Sequence, residues 1–433
     1  MNYPVDNLDD AYNACNPDEP LLKGAADVRY LDLTAVRNGS QQNMSTLVVR
    51  IKRSQLAANY HKLLFTGHTG SGKSTELHRL KAELEQENYL VIFLDIEELL
   101  DKAEITYQDI LLIIANGVVK TLADSNMALD AKFLTDLRDW FAEKVITQVY
   151  SKEEQGSVKA KVAAALKMPF VSLLTELTGE IKSASGRRTE IRQTLENELR
   201  VFIAKLNDLL IAARLKLQQQ GKTDLVIIVD GLEKMTYREL PNNESSYSNL
   251  FVRHAEQLKA PQSHIIYTVP IALTSNDNLG NEFADSVFMI PMVRYKTPQG
   301  EQALIELVGK RMSLSLFESP DLLKKLIAVC GGSTRDLFRL IRSATETTAV
   351  KIQDPDVERA VRTLAKEYDR LVKKEYIALL KEVHASKRIE EDGDKSYEHL
   401  LRLRLVHEYE NGENWADIHP VLLKISRVRD QIV

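Results

Sequence analysis

The run Gly67-His68-Thr69-Gly70-Ser71-Gly72-Lys73-Ser74-Thr75 constrains this chain more than any other stretch. It fits the spacing G-x-x-x-x-G-K-[ST]. Glycines let backbone N–H groups curl around an anion, because positive φ costs them little. A helix that begins there turns its positive end toward phosphate oxygens. Lys73 is suited to the terminal phosphates as a point charge, and the Ser74 hydroxyl to Mg²⁺. The loop needs a buried strand before it and a helix after it. Residues 62–66 read as that strand, and residues 73–88 as that helix.

Around the loop, short apolar runs alternate with helical stretches, the pattern of an α/β fold on a mostly parallel sheet. Strands are expected at residues 62–66, 89–95, 225–229, 264–269 and 286–290. Residues 1–45 contain Pro4, Asn7, Asn13, Asn16, Pro17, Pro20 and Gly24, and read as an extended arm. The core is expected over 46–300. Within it, residues 105–222 read almost wholly as helix, with one or two helices over 105–150, loops near Gly156 and at 183–186, then one long helix. There Ile191, Leu195, Leu199, Phe202, Leu206, Leu209 and Ala213 step by fours and threes. Such a stripe suits packing on the sheet, or a coiled-coil contact with a partner. Residues 301–352 read as a small helical bundle. Residues 353–433 read as helices followed by a hairpin, with Asn411-Gly412 as its turn.

Charge narrows the classes. There are 57 Lys and Arg against 62 Asp and Glu, a net charge of −5, which argues against a chain that coats nucleic acid by charge alone. The two cysteines, Cys15 and Cys330, lack metal-ligand spacing and read as reduced thiols in the cytoplasm. The N-terminus lacks the features of a signal peptide. No apolar run approaches the ~18 residues of a membrane helix.

The run Leu225-Val226-Ile227-Ile228-Val229 ends in Asp230. It reads as a central parallel strand, buried on both faces. Asp230 then emerges beside the phosphate loop, where it holds Mg²⁺ through water or merely caps a turn. Glu233 follows three residues later. It is the candidate for orienting or deprotonating an attacking water, with a plain turn carboxylate as the alternative.

With these motifs the chain resembles the AAA+/STAND division of P-loop ATPases, where STAND denotes signal-transduction ATPases with numerous domains. The resemblance implies a P-loop NTPase core with an AAA+-like parallel sheet, a large helical insertion, a helical lid and a C-terminal winged-helix domain. It implies ATP/ADP and Mg²⁺ as ligands. The guanine-reading N-K-x-D is missing, which favours ATP over GTP. The order Asp230-Gly231-Leu232-Glu233 departs from the Asp-Glu usual in AAA+ proteins and is closer to STAND, which implies a slow switch rather than a fast motor. Thr268 matches the position called sensor 1, or is an ordinary strand threonine. Arg335, within Gly332-Ser333-Thr334-Arg335, matches the γ-phosphate reporter called sensor 2, or is a surface arginine. Thus Lys73, Glu233, Thr268 and Arg335 are the catalytic candidates. Residues 67–75 with Arg335 would bind nucleotide, and Ser74 with Asp230 the metal. The family's arginine finger has no counterpart at residues 272–284; Arg253, Arg294 and Arg311 are substitutes. A homo-oligomer in the ATP-bound form is implied.

In the winged helix, Arg402 and Arg404 are basic, but Glu408, Glu410, Glu413 and Asp417 are acidic. Acidic groups near phosphates cost affinity, which favours a protein-contact or autoinhibitory role over DNA binding. His419 could touch nucleotide in a closed state or pack at the surface. Arg29 or Tyr30 could stack on the base, or the segment could simply dock. The leading expectation is an ATP-binding and hydrolysing switch that regulates a protein effector through the insertion or the winged helix. By fold-level analogy such switches include anti-phage defence proteins. The competing expectations are a DNA-acting AAA+ ATPase assembling on duplex DNA, similar to replication or transposition regulators, and a nucleotide-binding adaptor with negligible turnover. No membrane partner is expected.

Overall fold

The computed structural model describes the chain except residues 1, 39–42, 56–59, 184–185, 277–278, 285–286, 349, 390–395 and 411–412. Three helices come first: α1 (Leu8–Ala14), α2 (Thr34–Arg37) and α3 (Met44–Gln55). Then β1 (Lys62–Gly67) runs through the phosphate loop into α4 (Lys73–Gln86), and β2 (Leu90–Asp95) returns to the sheet. A helical insertion follows. Its main helices are α5 (Tyr107–Asp124), α6 (Phe170–Lys182), α7 (Gly186–Asn197) and α8 (Leu199–Gln219). The sheet resumes with β3 (Leu225–Asp230), β4 (His264–Thr268) and β5 (Phe288–Ile290).

The five strands are parallel in the order β2-β3-β4-β1-β5. Successive side chains of a strand face opposite sides, and here both sides are covered. Val226 and Ile228 of β3 join Leu63, Phe65 and Ile266 against α3 and α4. Leu225, Ile227 and Val229 join Leu64, Ile265 and Tyr267 against the insertion. That double burial explains the unbroken apolar run before Asp230. Register places Phe65 beside Thr268, Gly67 beside Ile290 and Asp95 beside Asp230, so the chemistry-bearing strand ends share one edge.

Beyond the sheet, α9 (Pro298–Gly309), α10 (Pro320–Cys330) and α11 (Thr334–Thr345) are followed by α12 (Asp354–Asp369), α13 (Tyr376–Ser386) and α14 (Ser396–Arg402). The antiparallel hairpin of β6 (Val406–Glu410) and β7 (Asn414–Ile418) comes next, then α15 (Ser426–Ile432). These elements share one core, which also takes in Val5, Leu8 and Ala11 of the arm.

Several expectations change. The arm is not simply extended: Asn7, read as a breaker, caps α1 by accepting from the Asp10 N–H at 2.9 Å. Gly156 lies inside a helix, Gln155–Ala165, rather than a loop. The long helix is two, since Glu198 leaves helical geometry between α7 and α8. Its stripe still packs: Ile191, Leu195, Phe202, Leu206, Leu209 and Ala213 are buried in the insertion core. Asn411-Gly412 and Ser286 lie outside the described residues. Cys15 and Cys330 are buried free thiols. Among the described residues no helix is long and apolar enough to cross a membrane.

Candidate nucleotide site

The phosphate loop bends as its glycines allow. Gly70 has φ 93°, and a Cβ there would lie 2.5 Å from the Arg335 Cβ, so only glycine fits under the lid. Lys73, at the first position of α4, is buried. Its Nζ donates to the carbonyls of Gly67 at 2.9 Å and His68 at 3.2 Å, and meets Glu233 Oε1 at 3.3 Å. Thr69, Gly70, Gly72, Lys73, Ser74 and Thr75 line a cavity of about 810 Å³. Asp230, Glu233 and Arg335 line it too, together with Arg29, Tyr30 and Arg37 from the arm. Gly67, His68 and Ser71 do not.

Glu233 reaches Lys73 because the chain turns sharply after Asp230. Gly231 has φ 91°, a left-handed geometry that suits glycine, and Leu232–Lys234 form a 3₁₀ turn behind it. The glycine that separates Asp230 from Glu233 is thus what folds Glu233 back over the loop. Burial pushes the Glu233 carboxyl up, but the Lys73 charge and a Thr268 hydrogen bond outweigh it and hold the group below its usual value. Burial, then the neighbouring Glu233, raises the Asp230 carboxyl. The opposed shifts on adjacent carboxylates make Glu233 the member of the pair that ionises first as pH rises.

A divalent cation fits here. Asp230 is 4% exposed, desolvated, and hydrogen-bonded by the Ser74 hydroxyl. A cation bound there would relieve the desolvation that raises its pKa. Mg²⁺ characteristically takes one or two protein oxygens and fills its shell with water and phosphate, so Ser74 and Asp230 are a sufficient donor set. Thr268 sits differently from expectation. It is fully buried and does not line the cavity. Its Oγ1 accepts from the Leu232 N–H at 3.0 Å and also bonds Glu233. It therefore braces the acidic turn instead of facing phosphate.

The lid closes from α11. Ser333 caps that helix by accepting from the Asp336 N–H at 3.2 Å. Thr334 Oγ1 donates to the Gly70 carbonyl at 2.8 Å, which pins the first turn on the loop. Arg335 projects into the cavity and pairs with Asp18 of the arm. Arg29 is held by Asp27 and Glu19 and lies over the Tyr3 ring, so it is stacked already. The Tyr30 hydroxyl bonds Glu76 and Arg79.

The hairpin reaches the same loop. The Glu408 N–H donates to His68 Nε2 at 2.8 Å. The Glu408 carbonyl accepts from Met292 N at 3.1 Å, just past β5. His407 Nδ1 and the Tyr409 hydroxyl both meet the Gly331 carbonyl, at 3.1 and 2.8 Å, in the turn that starts the lid helix. His419 is a buried residue, not a surface one. It contacts Asp336 at 3.4 Å and does not line the cavity. Arg402 lies over the Tyr237 ring at 4.6 Å but stays exposed, whereas Arg404 is partly buried and approaches Asp336 at 3.6 Å. Of the finger substitutes, Arg311 is buried, Arg294 is bound to the Ala35 and Val36 carbonyls, and Arg253 is exposed beside Glu244.

Four charged groups around the site were not singled out from the sequence: Arg37, whose guanidinium donates to the Ser71 carbonyl; Glu76, its ion-pair partner at 3.5 Å; Asp18; and Asp336. Only Asp336 had a local cue, three residues past the cap Ser333. No family model matches the chain, and no curated protein sequence matches it. Among the solved structures that match is Cdc6p from Pyrobaculum aerophilum, at 11% identity and a TM-score of 0.38 over 95% of this chain and 97% of that one. So loose an overlap leaves the strand order and the loop geometry as the grounds for the fold: an α/β P-loop architecture with a parallel sheet and a large helical insertion.

Proposed function

We propose that this chain is an ATP-binding and hydrolysing switch of the AAA+/STAND type, in which the C-terminal module, a winged helix, reports the state of the phosphate loop to a protein effector. The carrying observation is the hydrogen bond from the hairpin's Glu408 N–H to His68, the second residue of that loop. Lys73, Glu233 and Arg335 face one cavity while His68, in the same loop, faces the hairpin. A change of phosphate occupancy at Lys73 acts on the His68 carbonyl it already binds, and so on the hairpin.

The division of labour follows from position. Backbone N–H groups of the loop and Lys73 bind the β- and γ-phosphates of ATP. Ser74 and Asp230 would hold Mg²⁺, which would neutralise developing charge at the phosphates. Glu233, kept ionised by Lys73, orients and deprotonates the attacking water. Thr268 fixes the turn that aims Glu233. Arg335 reads the γ-phosphate from the lid. The pairing of Arg404 with Asp336, and the acidic Glu408, Glu410 and Glu413 of the hairpin, favour a protein partner over duplex DNA.

The test is ATP turnover by wild type, Lys73→Ala and Glu233→Gln, each with and without duplex DNA. Lys73→Ala should lose nucleotide binding. Glu233→Gln should keep binding and lose turnover roughly 10²–10⁴-fold. Full turnover in Glu233→Gln rejects that residue as the base. Stimulation by DNA that fades steeply with salt replaces the switch with a DNA-acting ATPase. Tight ATP binding with no wild-type turnover leaves an adaptor.

A further inference from the structure

Both Asp18 and Arg335 line the cavity that holds Lys73, and they are paired with each other. We propose that Asp18 is a built-in competitor for the γ-phosphate: its carboxylate occupies Arg335, and so sets how strongly the site prefers ATP to ADP. The inference rests on the reading of Arg335 as the γ-phosphate contact.

Placement makes the competition local. Arg335 is fixed at its base, because Thr334 and the Arg335 N–H both bond the Gly70 carbonyl, at 2.8 and 3.4 Å. Asp18 is fixed too. Its N–H bonds the Asn16 side chain at 3.2 Å, and that oxygen also accepts from Arg342 at 3.4 Å. Arg342 lies two turns along α11 from Arg335 and covers the Tyr12 ring at 4.1 Å. Carboxylate and guanidinium are therefore anchored to one helix, and Arg335 changes partner by side-chain rotation without any movement of the lid. The neighbouring carboxylate, Glu19, is engaged with Arg29 and does not substitute.

The two anions are unequal. A carboxylate offers one charge and two oxygens. A terminal phosphate offers more charge and three oxygens, which suit the planar guanidinium fork. ATP therefore displaces Asp18, whereas ADP has no γ-phosphate with which to compete, and Asp18 keeps Arg335. The cost of displacement falls on ATP alone. It is modest, because the Arg335 and Asp18 side chains are 30% and 63% exposed.

The experiment measures affinities of the full chain for ADP and for a β,γ-imido analogue of ATP, in wild type, Asp18→Asn, Arg335→Ala and the double variant. Asp18→Asn should tighten the triphosphate analogue roughly two- to fivefold and leave ADP unchanged. In the Arg335→Ala background the same change should have no effect. If Asp18→Asn leaves triphosphate affinity unchanged or weakens it while Arg335→Ala weakens it, the competitor is rejected and the sensor stands. If Arg335→Ala leaves triphosphate affinity unchanged, the sensor reading fails and the competitor falls with it. Tightening of ADP as well would assign Asp18 to general repulsion of anions and also reject the proposal.

Discussion

The helical insertion and the junction over the phosphate loop bury side chains to the same depth, but of opposite kinds. In the insertion, Leu173, Leu174, Leu177, Phe202, Leu209 and Leu210 belong to one apolar core with β3, and the buried Asp109 is paired with Arg192 at 2.6 Å. At the junction, Lys73, Glu76, Asp230, Asp336, His68 and His407 are buried, and the Glu233 side chain is only 6% exposed, all within the reach of one cavity and one hairpin. Apolar contacts are non-directional and insensitive to ligands. Buried ionisable groups depend on each partner, so adding or removing a single anion rearranges them. The insertion is therefore the part that holds the fold, and the junction the part whose contacts a bound anion would alter.

Three substitutions test that contrast, taken from the largest expected effect. Leu209→Ala removes a fully buried side chain under β3 and should lower unfolding stability by about 2–5 kcal/mol, read by urea denaturation. Nucleotide affinity should stay at the wild-type value; a change there would mean that the insertion core is not separable from the site. Asp336→Ala should cost about 3 kcal/mol, because Arg404, Arg339, His419 and the Tyr368 hydroxyl lose the carboxylate they share. Arg339 and Arg404 are partly solvated, which sets the figure at the low end of the range for buried pairs. Here nucleotide affinity should change along with stability, since Asp336 adjoins Arg335.

His68→Gln should cost about 1 kcal/mol at pH 7.5 through the lost bond to the hairpin. The same variant sharpens the contrast by pH. Burial, with Lys73, Arg404 and His419 adding to it, pushes the His68 imidazole down to about 3 from 6.5. Between those values the unfolded chain binds the extra proton, so stability is lost as pH falls from 6.5 toward 3. His264, lowered to about 3, and His78, lowered to about 4, act in the same direction. Melting temperatures of wild type and His68→Gln should therefore converge on acidification and then cross. Parallel curves down to pH 4 would show that His68 is not held neutral by the junction.

Much of the sheet was legible because it rests on local rules. A run such as 225–229, apolar on both faces, has no other place to go than the centre of a parallel sheet. The loop at 67–75 was legible because few other sequences place glycine, lysine and serine at that spacing. The boundaries failed where a residue type has two uses. Asn7 both breaks patterns and caps helices, and only the helix behind it decides which. The partners of the loop were not legible at all. Nothing near Arg37 or Asp18 in the chain says that they meet Ser71 or Arg335, because those contacts exist only once the arm has packed on the lid. Glu233 and Thr268 lie between these cases. Their positions were readable, but that the Thr268 hydroxyl serves Glu233 required the Gly231 turn to be seen in space.

The insertion leaves the sheet at Asp95 and comes back at Leu225, at opposite ends of two hydrogen-bonded neighbours. Its exit point stands one rung from Asp230. Those helices therefore join the sheet beside the carboxylate that would carry the metal. A partner that grips the insertion would hold a lever whose short arm ends in the nucleotide site.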